Sequence, residues 1–278
     1  MDIASIIGIV LAFGAVLVSA FLEHTDLSIL LRQYSAFILV FFGTLGAVML
    51  SFPLKTFLNG FRQGIQSVFF EKNFGERNMI TQLVSFAEKA RREGLLALEN
   101  ESNELEDPFL RKGIQLVIDG RDAEIIRRIL ETEVSLSQEH GAKAEQVFMN
   151  LGGYSPTLGI IGTVLGLINM LQGLAKATGE GNVAGSIGEA TAAAFVATFF
   201  GIMFANLLWL PMGTKIKERT AKTLLLREIQ IEGILSIQAG DNPRLLEEKL
   251  TAFLEPEERE GVGEAAGGGL GEPAGATA

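Results

Sequence analysis

The chain has 278 residues, of which 48% are hydrophobic, with 32 Gly, no Cys and a formal net charge of −10 at pH 7. The absence of Cys excludes a disulfide scaffold, thiol catalysis and a cysteine-based metal site. The acidic balance argues against nucleic acid as a partner, because phosphate binding needs a surplus of basic residues.

The hydrophobic residues are concentrated in four windows without Asp, Glu, Lys or Arg. These windows cover residues 3–22, 33–54, 146–175 and 190–214. A membrane-spanning helix needs about 20 mostly apolar residues, so four spans are predicted and a soluble globular protein is excluded. The first window is predicted to be a retained span and no signal peptide, because it has no basic n-region and no small-x-small cleavage site.

The basic residues predict the orientation of the spans. Of the 23 Lys and Arg residues, 21 lie in residues 55–145 or from residue 215 onward, and only Arg32 and Lys176 lie in the two short connections within the span pairs. Basic residues concentrate on the cytoplasmic side of a membrane. The sequence therefore predicts two hairpins, 1–54 and 146–214, with both termini in the cytoplasm.

The segment 55–145 is predicted to be a cytoplasmic helical domain. Asp107 followed by Pro108 is typical of a helix start, and Asp119-Gly120 of its end. Asp122 is expected to cap a further helix, which continues into the third span. No alternating strand pattern occurs, so the expected fold is all-α.

The segment after the fourth span is predicted to be a helical tail, 215–254. A charged amphipathic helix over about 212–239 is expected to end at Gly240, and a short helix over about 243–254 follows. Residues 255–278 are mostly Gly, Ala and Glu and are predicted to be disordered. No enzyme motif and no metal-spaced His pair occurs, so neither an enzyme nor a cofactor is predicted.

Small residues distinguish the second hairpin from the first. Gly162 and Gly166 form a close-packing Gly-x-x-x-Gly motif in span three, and Ala197 and Gly201 belong to a small-residue stripe on span four. Spans three and four are therefore expected to form the interior pair, and spans one and two, rich in Ile, Leu, Val and Phe, to face lipid. The sequence leaves open whether the stripe packs within one chain or on a partner.

Two hydroxyl groups lie deep in the interior pair, on Thr163 in span three and Thr198 in span four. Each could bond only to a carbonyl of its own helix, or both could belong to an ion pathway. Every Asp and Glu lies at or beyond a span end, whereas ion-translocating proteins normally carry an ionisable residue in the membrane. An ion-conducting role thus requires a carboxylate from another chain.

Five segments carry a family resemblance: Ala90 to Glu99 (ARREGLLALE), Asp119 to Ala123 (DGRDA), Ser155 to Ile168 (SPTLGIIGTVLGLI), Ala193 to Gly201 (AAFVATFFG) and Ile231 to Gly240 (IEGILSIQAG) with Asn242-Pro243. They resemble the A subunit of the bacterial flagellar motor stator, the MotA/PomA/MotP family. The resemblance covers nearly all of residues 1–254. The related ExbB/TolQ energisers have three spans, so the four-span count favours the stator family.

The resemblance implies an all-α integral membrane protein of the bacterial inner membrane. In the family, five A subunits surround two B subunits, whose single spans supply the membrane Asp. Ion flow drives relative rotation of the two subunit types, and the cytoplasmic loops push on the rotor switch protein. No covalent chemistry is required. A stand-alone ion channel or transporter and an ExbB/TolQ-like energiser of another envelope machine remain as alternatives.

The resemblance also assigns roles to single residues. Arg91 and Glu99, and less strongly Arg92, correspond to positions that engage charged residues of the rotor. Pro156 and Pro211 correspond to prolines that couple ion flow to movement. By local chemistry alone, Pro156 is expected at a helix start, where proline is tolerated, and Pro211 at the end of span four.

The coupling ion is predicted from the two threonines. Sodium needs several oxygen ligands to replace its hydration water, whereas a proton can hop onto a carboxylate. Sodium-type members of the family carry Thr at the position of Thr163 and proton-type members commonly carry Ala, while Thr at the position of Thr198 occurs in both. Sodium is therefore predicted over protons, bound transiently by Thr163 and Thr198.

Overall fold

The computed structural model describes residues 3–69, 75–176, 183–254 and 256–259. All regular structure within these ranges is helical, as predicted. Four helical stretches are long and apolar enough to span a membrane: Ile3–Leu22, Tyr34–Ser51, Ala123–Ala175 and Ile187–Ala239. They contain the described parts of the four predicted windows, apart from residues 33 and 52–54, so the four-span prediction is confirmed.

The chain forms two compact units. One, here called the span unit, consists of Met1–Glu71 and Glu139–Thr220, and the other, the loop–tail unit, consists of Lys72–Gln138 and Ala221–Ala278. Residues 55–71 and 139–145, which the sequence groups with the loop, belong to the span unit. The reason is that a helix after span two, absent from the sequence prediction, packs its small residues on the beginning of span three.

The span unit is built from helices that cover nearly all of its described residues. They are α1 (Ile3–Leu22), α2 (Ser28–Arg32), α3 (Tyr34–Ser51), α4 (Leu54–Phe69), the second part of α8 (Ala123–Lys176), α9 (Val183–Phe204), a π-helical turn (Ala205–Trp209) and the start of α10 (Leu210–Ala239). The predicted continuation of a loop helix into span three is confirmed, because α8 is uninterrupted over 54 residues.

Span two, α3, differs from the lipid-facing helix that its composition predicts. It buries a stripe of residues spaced by four, Ala36, Val40, Thr44 and Val48, and it packs against α9. Span one, α1, buries no residue. The expectation of a lipid-facing span therefore agrees with α1 and is wrong for one side of α3, because large aromatic residues on α3 and α9 interlock.

The loop–tail unit is a bundle around its own hydrophobic core. Its helices are α5 (Glu76–Glu93), a 3₁₀ turn (Leu95–Leu98), α6 (Glu99–Glu104), α7 (Pro108–Ile118), the first part of α8, the second part of α10, α11 (Pro243–Thr251) and α12 (Pro256–Arg259). The predicted start of α7 is confirmed, because the Asp107 side chain accepts a hydrogen bond from the amide of Phe109. Gly240, with a φ of 71°, ends α10 as predicted.

The predicted disordered tail is only partly described. Pro256–Arg259 form a short helix, which corrects the prediction for these four residues. Residue 255 and residues 260–278 lie outside the described residues.

A buried polar cluster holds the loop–tail unit together. The Asp107 carboxylate accepts hydrogen bonds from Arg227 Nη1 at 2.5 Å and from Gln230 Nε2 at 2.7 Å. The Arg227 guanidinium lies 4.5 Å from the ring centroid of Phe109. Burial alone would raise the pKa of Asp107, but the hydrogen bonds from Gln230 and Arg227 and the positive charge of Arg227 outweigh burial, so its pKa lies below the ordinary value of 3.8.

We expect Asp107→Asn to destabilise the loop–tail unit by about 3 kcal/mol, because it leaves the largely buried charge of Arg227 without its partner. A matched control is Lys112→Gln, which breaks the exposed pair with Glu133 and is expected to cost less than about 1 kcal/mol. Hydrogen–deuterium exchange of the α7 amides measures both effects. Equal protection of the α7 amides in the two variants would contradict the stabilising role of the Asp107–Arg227 ion pair.

The lowered pKa of Asp107 fixes the sign of a pH effect. A carboxyl group whose pKa is lower in the folded than in the unfolded state stabilises the fold at pH values above its unfolded pKa. This stabilisation is lost as the pH falls through the lowered pKa. We therefore expect Asp107→Asn to lose less stability than the original chain when the pH falls below about 4.

Candidate functional site

Spans three and four approach each other so closely that their backbones touch. A Cβ atom at Gly201 would lie 2.8 Å from the carbonyl oxygen of Ser155 and 3.1 Å from Cα of Gly159, and a Cβ at Gly159 would lie 2.9 Å from the carbonyl oxygen of Ala197. Real Cβ atoms do not approach backbone atoms this closely. The residues at this crossing must therefore be glycines.

The Gly-x-x-x-Gly motif extends the close packing along α8. A Cβ at Gly162 would lie 2.5 Å from Cβ of Ala197, and a Cβ at Gly166 would lie 2.7 Å from Cβ of Ala194. The small-residue stripes of the two spans thus pack against each other within one chain. Packing within one chain is one of the two alternatives that the sequence leaves open for these residues.

The close approach brings the two predicted threonines together. The hydroxyl groups of Thr163 and Thr198 are within hydrogen-bonding distance of each other, although the residues are 35 positions apart. Thr163 Oγ1 also lies 3.1 Å from the carbonyl oxygen of Gly159 and 3.2 Å from that of Ala194. Thr163 therefore bonds to a carbonyl of its own helix, as the first interpretation expects, and it also joins the two spans.

The result is a group of four oxygen atoms at one point between two spans. Two are hydroxyl oxygens and two are carbonyl oxygens, each carbonyl lying four residues before one of the threonines. Each hydroxyl has a single proton to donate, so the four oxygens share two side-chain protons. Sequence reasoning missed the carbonyls of Gly159 and Ala194, although the spacing of four before each threonine was a readable signal.

The described residues offer little other cation chemistry. Among them, no cluster of three or more His, Asp or Glu side chains is arranged to hold a metal ion. The buried hydroxyl of Thr44 in span two donates to the carbonyl oxygen of Val40 at 2.5 Å, within its own helix. The Thr163–Thr198 pair is therefore the candidate ion site.

The chain stays helical on both sides of each candidate coupling proline. Pro156 lies inside α8, which continues on both sides of it, so the expected helix start there is wrong. Pro211 is the second residue of α10, which follows the π-helical turn Ala205–Trp209 without a break, so the expected helix end there is also wrong. A proline lacks an N–H and clashes with the preceding turn, and the wider π turn accommodates Pro211 without ending the helix.

The predicted rotor-contact residues lie on the surface of the loop–tail unit. Arg91 and Arg92 occupy the last turn of α5, and Glu99 is the first residue of α6. All three are exposed, and none forms an ion pair with a described residue. A salt bridge of 2.6 Å between Lys89 and Glu101 links the two helices. The structure therefore places the three charges in one exposed region.

The four spans and the polar site between two of them define an all-helical, multi-span membrane protein. Residues 101–229 match the MotA/TolQ/ExbB proton channel family. Motility protein A of Bacillus subtilis (strain 168) is 36% identical over 261 residues, which cover 93% of each chain. Chemotaxis protein PomA of Vibrio alginolyticus is 29% identical over 254 residues, which cover 91% of this chain and 96% of PomA.

A solved structure agrees with these relatives. A chain in the structure of the flagellar MotAB stator complex from Bacillus subtilis superposes with a TM-score of 0.82 at 35% identity, over 92% of this chain and 97% of that chain. The chain belongs to the motility protein A family of flagellar stator subunits, as the sequence resemblance predicts.

Proposed function

We propose that this chain is the A subunit of a sodium-driven flagellar stator, which works with a single-span B subunit in the bacterial inner membrane. The observation that carries the proposal is the Thr163–Thr198 oxygen cluster in a pair of spans without an acidic residue at that depth. Sodium can exchange hydration water for such oxygens. The carboxylate that completes the path comes from the B subunit.

The surface of span three supports a partner inside the membrane. Beside the candidate ion site, its apolar side chains are widely exposed in the single chain: Ile160, Ile161, Val164, Leu165, Leu167, Ile168 and Leu171. Thr163 and Thr198 are only partly buried. We assign this face to the B-subunit span and to neighbouring copies in a pentamer, with both termini of each copy in the cytoplasm.

The energy for rotation comes from ion entry and requires no covalent chemistry. One charge that crosses a membrane potential of 100 mV releases about 2.3 kcal/mol. The two prolines are proposed to convert this energy into helix movement. Pro156 weakens the hydrogen-bond ladder of α8, and the π turn before Pro211 is a local irregularity in span four. We assign coupling to these two positions.

The exposed charges at the junction of α5 and α6 are proposed to push on the rotor switch protein. Exposed ion pairs are individually weak, about 0.5 kcal/mol, and screened by salt. Neutralising Arg91 or Glu99 alone is therefore expected to reduce swimming only in part, and Arg91→Glu to reduce it more. A complementary charge reversal on the rotor is expected to restore swimming.

The matched control for the rotor contact is Arg128→Glu, which reverses an exposed charge elsewhere in the loop–tail unit. This variant is expected to swim normally. Full motility of an Arg91→Glu, Glu99→Lys double variant would contradict the rotor assignment.

Gene deletion in a motile bacterium that encodes this chain separates the stator from the ExbB/TolQ-like energiser. We expect cells with intact filaments that do not swim. Defective nutrient uptake with normal swimming would favour the energiser. A stand-alone channel predicts conductance in liposomes that hold this chain alone, whereas the stator predicts conductance only together with a B subunit.

A further inference from the structure

Leu96 is exposed at the bend between α5 and α6. Its side chain is 72% exposed, more than any other large apolar side chain that the structure describes in the loop–tail unit. Two other leucines of the same 3₁₀ turn face inward, because Leu98 is fully buried and Leu95 packs against the hydrophobic core. The fold therefore anchors the turn with these two leucines and leaves Leu96 in solvent.

The backbone of the bend is fixed. α5 ends at Gly94, whose φ of 84° and ψ of 162° are a combination that residues other than glycine rarely adopt. The Gly94 carbonyl oxygen accepts a hydrogen bond from the amide of Ala97 at 3.1 Å, and the Lys89–Glu101 salt bridge links the helices on either side. The exposure of Leu96 is therefore built into the fold of the bend.

Charged residues border Leu96 on both sides in the sequence. The last turn of α5 carries Arg91 and Arg92, and α6 begins with Glu99 and contains no basic residue. These charges have a use within the fold, because basic residues stabilise the C-terminal end of a helix and acidic residues the N-terminal end. Leu96 has no comparable use, and a partner that covers it would give it one.

We propose that Leu96 is the apolar centre of the contact with the rotor switch protein, with Arg91 and Glu99 at its rim. This inference rests on the rotor contact proposed above and adds the kind of surface that the rotor presents. That surface is an apolar side chain bordered by an acidic and a basic group. Protein interfaces commonly have such an arrangement, in which a buried apolar centre is surrounded by a solvent-exposed polar rim.

The apolar centre and the charged rim differ in their response to salt. Burial of a leucine side chain is expected to strengthen rotor binding by about tenfold, and an exposed charge pair by about twofold. Salt screens the charge pair and does not remove the gain from burying apolar surface.

Flotation of liposomes that hold the full stator complex, mixed with purified rotor switch protein, measures this binding. Leu96→Gln is expected to weaken binding about tenfold, both at low salt and at about 0.5 M potassium chloride. Arg91→Gln is expected to weaken it about twofold, and at low salt only.

Two variants control for a change in the fold. Leu136→Gln alters another exposed leucine of the loop–tail unit, which is 52% exposed, and is expected to bind the rotor protein normally. Leu96→Met keeps an apolar side chain of similar volume and is expected to retain binding. Membrane content and the thermal unfolding midpoint are expected to be unchanged in Leu96→Gln, because the side chain is in solvent.

The identity of the partner is tested in cells. The photocrosslinker p-benzoylphenylalanine, incorporated at position 96, is expected to form an adduct with the rotor switch protein under ultraviolet light. The same group at position 136 is expected to form none.

Two outcomes would overturn the proposal. Normal rotor binding by Leu96→Gln, with weakened binding by Arg91→Gln, would remove Leu96 from the contact and leave the rotor assignment intact. An adduct between position 96 and a second copy of the chain would show that Leu96 belongs to a contact between stator subunits. Normal binding by both variants would instead contradict the rotor contact itself, and this inference with it.

Discussion

Gly201→Ala is expected to disrupt the span unit, although it adds one methyl group. The new Cβ would lie 2.8 Å from the carbonyl oxygen of Ser155 and 3.1 Å from Cα of Gly159. These are backbone atoms, which cannot rotate away, so spans three and four must separate. Overpacking of this kind costs about 1–3 kcal/mol, and Gly201→Val is expected to prevent accumulation of the folded protein.

The matched control for the crossing is Gly46→Ala in span two, where no atom lies within 4 Å of the added Cβ. Alanine favours a helix over glycine by about 1 kcal/mol, so this variant is expected to be at least as stable as the original chain. Thermal unfolding of the detergent-purified protein measures both. An unchanged midpoint for Gly201→Ala would contradict the close backbone contact between spans three and four.

Thr163→Ala is expected to abolish or strongly weaken the sodium dependence of the motor. The substitution removes the hydroxyl that joins the carbonyls of Gly159 and Ala194 to the hydroxyl of Thr198. The remaining carbonyls are too few to replace the hydration water of the ion. Assembly is expected to be retained, because alanine fits wherever threonine fits and leaves the glycine contacts intact.

Two further substitutions at Thr163 separate the effect of the hydroxyl oxygen from the effect of the side-chain shape. Thr163→Ser retains the oxygen and is expected to keep sodium dependence, whereas Thr163→Val retains the shape and is expected to lose it. Motor speed against sodium, with membrane content determined by immunoblot, measures both variants. Equal sodium dependence in Thr163→Ser and Thr163→Val would exclude Thr163 as a ligand.

Sequence reasoning succeeded where a pattern depends on residues close in the chain. The four windows, the cap at Asp107 and the stop at Gly240 each depend on a few neighbouring residues, and the structure confirms them. The threonine pair was predicted because two hydroxyls at matching depth are visible in the sequence. Their direct hydrogen bond depends on the glycine contacts between spans, which no local pattern measures.

The errors of sequence reasoning have a common physical cause. Pro156 and Pro211 were expected at helix ends, because proline removes a hydrogen bond from the helix interior. Within a membrane the helix continues, since tertiary packing and a π turn offset the loss. The contact between spans two and four could not be predicted either. Phe37 and Phe41 are as well suited to facing lipid as to packing on Phe200 and Phe204.

The central claim is that sodium passes between subunits at Thr163 and Thr198. The most direct test is the speed of single motors that contain this chain, measured against external sodium at fixed pH and fixed total ionic strength. The account predicts that speed rises with sodium and saturates, and that a protonophore has little effect while the sodium gradient persists. Speed that ignores sodium and collapses with the protonophore would contradict it.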